Sequence, residues 1–120
     1  MINSIRGGLN LFPNAKLNIH EIHHTKKLDG PSGTALSWRE WLGNKADINV
    51  TFERIGDVVG DHQLTIDAPN EKITLRHEAK NRAIFAEGAI WAAKYLDNND
   101  LSPGVHYFED ITNKYFNQGQ

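Results

Sequence analysis

At 120 residues the chain is long enough to bury the core of one compact domain, and we expect no second full domain. A formal net charge of −2, with lysine and arginine spread along the sequence, excludes the broad basic field that attracts nucleic acid or a membrane surface. The sequence has no cysteine, which excludes disulfides, thiolate metal sites and cysteine nucleophiles and favours a reducing, cytoplasmic compartment, and no apolar run is long enough to span a bilayer.

The N-terminal part of the sequence predicts a connecting segment and then a strand. Residues 1–14 contain two glycines, a proline and three asparagines, which is typical of a linker, so we expect the domain to span 15–120. In "AKLNIHEIHH" apolar and polar residues alternate, and this period of two indicates a strand that ends at the histidines. One face of that strand would carry Leu17, Ile19, Glu21 and His23.

A helix and three strands are predicted next. Pro31 and the three residues after it lead into "ALSWREWLG", whose apolar residues recur at helical spacing. Ser32 or Thr34 would be the N-cap, and Gly43 suits the C-terminal end. The segments "INVTFERI", "HQLTID" and "KITLRHE" have strand patterns separated by turn compositions, and they predict an antiparallel meander.

The last third of the chain predicts helices. "NRAIFAEGAIWAAKYLDNN" is apolar around much of its circumference, which indicates a largely buried helix capped by Asn81. The tail "VHYFEDITNKYF" predicts a short strand or turn and then a final helical turn or two. The whole order places the chain in the α+β class, with a mainly antiparallel or mixed four-stranded sheet and helices packed on one face. The other face needs a cover, which favours self-association.

The stretch "EIHHTKKLDGPSGTAL" holds the residues with the clearest chemical potential. A helix that begins near Gly33 offers unpaired backbone N–H groups, a hydroxyl and the positive end of the helix dipole. Two histidines and two lysines lie just upstream of it: His23, His24, Lys26 and Lys27. Histidine exchanges a proton near neutral pH, and lysine donates a proton or pairs with a carboxylate. The pattern predicts a pocket for a small polycarboxylate with a proton donor beside it.

Simpler interpretations of the same residues remain open. The Pro-Ser-Gly-Thr turn is explained equally well as a helix cap, and adjacent lysines are usually a solvated surface. The triplet His20, His23 and His24 suggests a metal site, but a strand turns His23 away from the other two and no cysteine or carboxylate cluster completes the set, so we expect no metal. Three more histidines are isolated in the sequence and are expected to be ordinary surface or core residues: His62, His77 and His106.

The string "HHTKKLDGPSGTAL" closely resembles the signature H-H-x-x-K-x-D-A-P-S-G-T-A of the dihydrodipicolinate reductase family. Within that signature only Gly30 departs, because the family has alanine there. The resemblance continues through "RIGDVVGDHQLTI" and "HEAKNRAIFAEGAIWAAKYL", so it covers nearly the whole chain from about Leu17. "SIRGGLNLF" resembles the family's crossover from its first domain to its second.

The resemblance implies an oxidoreductase of lysine and diaminopimelate biosynthesis. By that resemblance, His23 and Lys27 are the catalytic pair that manages the proton delivered to the substrate as the hydride of NADPH or NADH adds to its ring. His24 and the turn residues Ser32, Gly33 and Thr34 would hold a substrate carboxylate. Lys26 stands at a variable position of the signature and is given no role.

The family pattern also implies parts that this sequence lacks. No G-x-G-x-x-G follows a strand, so we expect the chain to be the substrate-binding and tetramerisation half, with residues 1–14 leading from a missing N-terminal nucleotide-binding domain. That missing domain would bind most of the cofactor, and the present half would assemble as a homotetramer. An alternative from another class is a non-catalytic module that binds a dicarboxylate and serves assembly.

Overall fold

The computed structural model describes residues 7–43 and 47–117. Contacts group the chain into two compact units, Met1–Asn81 and Arg82–Gln120, called here the N-terminal and C-terminal units. The elements in chain order are a short 3-10 helix Gly7–Leu11, β1 Lys16–His23, α1 Gly33–Trp41, β2 Ile48–Arg54, β3 Gly60–Ala68, β4 Glu71–Ala79, α2 Ala83–Asp97 and α3 Phe108–Asn117. Within the described ranges, no helix has both the length and the apolar character that crossing a membrane requires.

The four strands form one mixed sheet in the order β2-β1-β3-β4. β1 pairs in parallel with β2 and antiparallel with β3, and β4 pairs antiparallel with β3. The expected four-stranded sheet is confirmed, but the expected meander is wrong because β2 and β3 are not neighbours. The segment between β1 and β2 contains α1, which gives the crossover that a parallel pair needs, and β1 rather than β2 then receives β3.

The core of the N-terminal unit lies on one face of this sheet. The predicted alternation of β1 is confirmed, since Leu17 and Ile19 are buried on the core face together with Glu21 and His23. Ala35 and Trp38 of α1 cover that face. The first six residues of the expected connecting segment lie outside the described part of the chain. Leu9, from the remainder of that segment, is only 5% exposed and belongs to the core.

α1 begins and ends where its sequence predicts. Ser32 is the N-cap, in an extended conformation, and its hydroxyl accepts a hydrogen bond from the Ala35 N–H at 3.2 Å. Leu42 is the C-cap, and Gly43 follows with a φ of 98°, a left-handed conformation that glycine adopts at little cost. The cap therefore fixes the residue at which the helix starts beside the sheet.

The C-terminal unit consists of α2 and α3, joined by an aromatic cluster. Trp91 stacks on Tyr95 with ring centroids 5.6 Å apart and meets Phe108 and Tyr115 edge to face. The tail is helical from Phe108 onward and includes no strand in its described part. These ring contacts give the two helices a small core of their own.

Two expectations for α2 are wrong. Its N-cap is Arg82 rather than Asn81, and the helix start has no capping hydrogen bond from the Arg82 side chain. The expected burial also fails, because Ile84, Ile90 and Leu96 are 46%, 56% and 47% exposed. A helical pattern tells which residues share an apolar face, but it does not supply the surface that covers them.

Candidate functional site

The candidate site lies at one end of the sheet. The parallel strands β1 and β2 end there at His23 and Arg54, and the antiparallel strand β3 begins there at Gly60. The loop after β1 returns to this end, where Ser32 caps α1 and bonds to Glu21. The mixed pairing therefore brings the ends of three strands and the start of one helix together.

Glu21 is the centre of a buried polar cluster. Its side chain is 0% exposed, and its Oε1 accepts hydrogen bonds from the Ser32 N–H at 2.9 Å and from Arg54 Nη2 at 3.2 Å. Its Oε2 accepts one from the Ser32 hydroxyl and lies 3.5 Å from His62 Nε2. Burial by itself raises the pKa of the Glu21 carboxyl, but the Ser32 hydrogen bonds and the nearby charge of His23 bring it below its ordinary value. Glu21 is therefore a buried anion at neutral pH.

Ser32 uses its hydroxyl entirely within the protein. The residue is 3% exposed, and its Oγ donates to Glu21 Oε2, accepts from the Ala35 N–H and lies 3.3 Å from His62 Nε2. A hydroxyl has one donor and two acceptor positions, and these three neighbours fill them when His62 carries its proton on Nε2. Ser32 thus ties the start of α1 to β1 and β3.

His23 and His62 pack against each other at the buried side of the cluster. Their ring centroids are 5.0 Å apart in an edge-to-face arrangement, and His62 also contacts Trp38 at 5.6 Å. Burial lowers the pKa of both imidazoles, with Glu21 opposing the shift of His23 and the neighbouring His23 adding to that of His62. Both rings are therefore mainly neutral near pH 7.

Arg54 fastens the loop between β1 and α1. Its Nε donates to the Lys27 carbonyl at 3.3 Å, and its Nη2 donates to the Asp29 carbonyl as well as to Glu21. The guanidinium lies 4.9 Å from the centroid of the Phe52 ring, in a cation–π contact. Within the loop, Lys27 Nζ reaches both carboxylate oxygens of Asp29 at 2.7 and 2.9 Å. One arginine therefore connects the buried carboxylate with the loop that carries the lysine.

The first turn of α1 is open to solvent. Gly33 and Thr34 are exposed, and the turn contains no acidic side chain. A Cβ placed on Gly33 would meet nothing within 4 Å. The backbone N–H groups at this end can donate hydrogen bonds to an anion, and the helix dipole favours a negative charge there.

The structure brings the predicted catalytic and binding residues to one end of the sheet. His23 is buried at the end of β1, and His24 and Lys27 follow it in the loop that leads to α1. Burial lowers the pKa of His23, and the charges of Lys27 and His24 lower it further. Ser32 is buried at the start of α1, beside the exposed Gly33 and Thr34 described above.

Sequence reasoning missed three members of the cluster: Glu21, Arg54 and His62. The alternation of β1 had already placed Glu21 on the buried face, and Arg54 opens the second family-like segment, so both had a signal in the sequence. His62 is buried, within the expectation of a surface or core residue, but in the fold it is not isolated. It lies in the same family-like segment as Arg54 and joins the cluster because the pairing of β1 with β3 sets it opposite Glu21, a register that the segment does not report.

The cluster also has the residue types of a metal site. Glu21, His23 and His62 each offer a ligand atom, and these atoms lie within 4.8 Å of one another. However, Ser32 and Arg54 already donate hydrogen bonds to both carboxylate oxygens. In the described geometry the carboxylate of Glu21 is therefore already engaged by protein hydrogen-bond donors.

Comparisons with known proteins agree on one family. A family model described as dihydrodipicolinate reductase, C-terminus, matches residues 3–111. A curated 4-hydroxy-tetrahydrodipicolinate reductase from Thermosipho africanus is 39% identical over 98 residues, covering 82% of this chain and 43% of that protein. The protein of the same name from Xanthomonas campestris is 44% identical over 100 residues, covering 82% of this chain and 41% of that protein. The chain spans less than half the length of these curated relatives.

A solved structure shares the fold. The dipicolinate-bound dihydrodipicolinate reductase from Paenisporosarcina sp. TG-14 matches with a TM-score of 0.67 at 22% identity, over 78% of this chain and 43% of that chain. At that identity the likeness establishes the α+β architecture and no residue's role.

Proposed function

The chain belongs to the dihydrodipicolinate reductase family, as its motifs predict, and on that premise we propose that it forms the substrate-binding and proton-transfer half of 4-hydroxy-tetrahydrodipicolinate reductase. The complete enzyme would reduce 4-hydroxy-tetrahydrodipicolinate to tetrahydrodipicolinate with NADPH or NADH, in lysine and diaminopimelate biosynthesis. The observation that carries the proposal is the buried His23, held beside an exposed helix N-terminus by a network centred on Glu21.

The open first turn of α1 suits one carboxylate of the substrate. Gly33 and Thr34 present their backbone N–H groups and the Thr34 hydroxyl to solvent, and His24 lies upstream of them. Ser32 contributes by fixing this turn, since its hydroxyl is already engaged with Glu21. A carboxylate bound there gains charge-assisted hydrogen bonds, which are about twice as strong as neutral ones.

We assign the proton transfer to the substrate to His23 and Lys27. A buried histidine that is neutral near pH 7 is ready to accept or relay a proton, and the ammonium of Lys27 supplies one beside it. Asp29 accepts two hydrogen bonds from Lys27, which keeps that side chain in place when no substrate is bound. His23 and Lys27 would together protonate the ring position that becomes basic as hydride arrives.

The bound nicotinamide cofactor supplies that hydride. The sequence has no glycine-rich nucleotide-binding loop, so we assign the cofactor no residue here and expect the rest of the enzyme to hold it. The same family premise leads us to propose a homotetramer in the cytoplasm. Thr74 and Arg76 lie exposed on the face of the sheet opposite the core, which is the face that we expect self-association to cover.

A calorimetric titration with pyridine-2,6-dicarboxylate, a planar analogue of the substrate, tests the proposed site. We expect saturable binding by the chain and at least a tenfold loss of affinity in His24→Ala, because one hydrogen bond to a charged group contributes about 1.5–3 kcal/mol. His20→Ala is the matched control. His20 lies on β1, its side chain contacts Thr51 and Glu53, and it has no proposed role in binding, so its loss should leave the affinity unchanged.

Equal binding by the two histidine variants would contradict the assignment of His24. Absence of binding by the unsubstituted chain would contradict a dicarboxylate site formed by these residues, in the proposed function and in the dicarboxylate-binding alternative alike, and the chain would then be better described as an assembly module.

A further inference from the structure

One ring nitrogen of His23, Nδ1, is buried beside a carboxylate without a hydrogen bond to it. This nitrogen is fully buried and has no hydrogen-bond partner among the described residues, although the nearest carboxylate oxygen, Glu21 Oε1, is only 3.7 Å away. A proton on this nitrogen is attracted by the Glu21 anion, whereas a lone pair on it is repelled. Because water is excluded from the cluster, this difference is large compared with that at an exposed site.

The other ring nitrogen faces the first residue of β3. A Cβ built on Gly60 would lie 3.2 Å from His23 Nε2, closer than an ordinary van der Waals contact. Gly60 lacks that atom, so no side chain from this position presses on Nε2. The two nitrogens of His23 therefore have different surroundings, with a carboxylate beside Nδ1 and a glycine beside Nε2.

We propose that Glu21 is the positioning residue of the reaction, which holds the proton of His23 on Nδ1 and so leaves the lone pair of Nε2 to accept or relay the substrate's proton. The role rests on the proposed function. A carboxylate that fixes the tautomer of an imidazole and stabilises its protonated form is a general device of acid–base sites. Here the same carboxylate also accepts two hydrogen bonds from Ser32, so it positions the proton-transfer group and the anion-binding turn together.

The other charged groups around His23 act against its protonation. Lys27, Arg54 and His24 each lower its pKa, the buried His62 packs on its ring, and Glu21 is the one neighbour that raises the pKa among those identified. Glu21 is thus the group whose removal should change both the tautomer and the titration of His23.

The tautomer can be measured by long-range proton–nitrogen NMR on the full chain, without a ligand and with isotope-labelled histidine. The spectrum reports which ring nitrogen of His23 carries the proton. We expect His23 to be protonated at Nδ1 and unprotonated at Nε2. In Glu21→Gln the amide can itself donate to Nδ1, so the Nε2-protonated form should gain population and the pKa of His23 should fall. Glu53→Gln is the matched control, because Glu53 lies on the opposite face of the sheet beside His20.

A proton on Nε2 in the unsubstituted chain, or an identical tautomer and titration in Glu21→Gln, would overturn the proposal. The measurement on the unsubstituted chain decides the question even if the variant does not fold. It is also independent of the dicarboxylate titration. A chain with the expected tautomer that binds no dicarboxylate would count against the proposed function and support the Glu21–His23 arrangement.

Discussion

At the scale of single residues, the site depends on a carboxylate that local sequence marks only weakly. Glu21 occupies a position where the strand pattern requires a buried side chain, and a buried charge is costly unless it is fully paired. Ser32, Arg54 and His62 surround it and account for its stability as an anion. Burial lowers the pKa of both cluster histidines although Glu21 opposes the shift, so both are mainly neutral in the folded chain near pH 7.

The lowered pKa of the buried His62 predicts a pH dependence of stability. The pKa of His62 is lowered in the folded state, so the unfolded chain binds its proton first as the pH falls below about 6.5. The free energy of unfolding should therefore decrease from that pH downward, with a slope of at most about 1.4 kcal/mol per pH unit for one proton. The loss should stop below the folded-state pKa. His62→Gln, whose amide still reaches Ser32, should make this slope shallower.

Urea unfolding between pH 7 and pH 5, followed through the amide signals of the sheet, measures the slope. His20→Gln serves as the control, because His20 lies outside the cluster. An unchanged slope in the His62 variant would contradict the role given to its burial.

At the scale of elements, the loop between β1 and α1 explains why this chain departs from the family signature. A Cβ on Gly30 would come within 2.5 Å of the Phe52 ring of β2, so the ring fills the space of the family's alanine side chain. Phe52 in turn supports Arg54, which fastens the loop. Gly30 and Phe52 therefore form a matched pair.

We expect Gly30→Ala to destabilise the chain by about 1–2 kcal/mol, because the ring must leave its place over the guanidinium. In the double variant with Phe52→Leu, the smaller side chain frees the space, and most of that loss should be recovered. Thermal or urea unfolding of the four proteins of this cycle gives the coupling energy. Additive effects of the two substitutions would show that the contact has no energetic consequence.

The same elements show what a sequence can and cannot predict. Alternation in β1, the Ser32 cap and Gly43 were readable because each is a local property of the chain. The parallel pairing of β1 with β2 was not, since three strand-like segments in a row fit a meander equally well. His62 was overlooked for the same reason, because only the register between β1 and β3 places it opposite Glu21. The positions of the site residues depend on long-range pairing that no short motif encodes.

At the scale of the whole molecule, each unit leaves surface uncovered. Within the N-terminal unit, α1 packs against one face of the sheet, and within the C-terminal unit, α2 has exposed apolar residues, including Ile90. Helices with an uncovered apolar face of this kind are stable when another surface packs against them. Self-association is the proposed source of at least part of that cover.

Sedimentation velocity at micromolar concentration tests this expectation. A homotetramer should sediment with four times the 13.5 kDa mass of the chain. Thr74→Glu and Arg76→Glu, introduced together on the open sheet face, should shift the population to smaller species, because like charges would meet across an interface there. A chain that remains monomeric at these concentrations would contradict the proposed assembly.

The central position of β1 has a consequence for how the protein is made. As the chain leaves the ribosome, His23, His24 and the Ser32 turn emerge before α1, whereas Arg54 emerges at the end of β2 and His62 only with β3. Until β3 pairs with β1, Glu21 lacks His62 from its set of partners. A nascent chain therefore has the whole signature before it has the complete Glu21 cluster, because that cluster depends on long-range pairing.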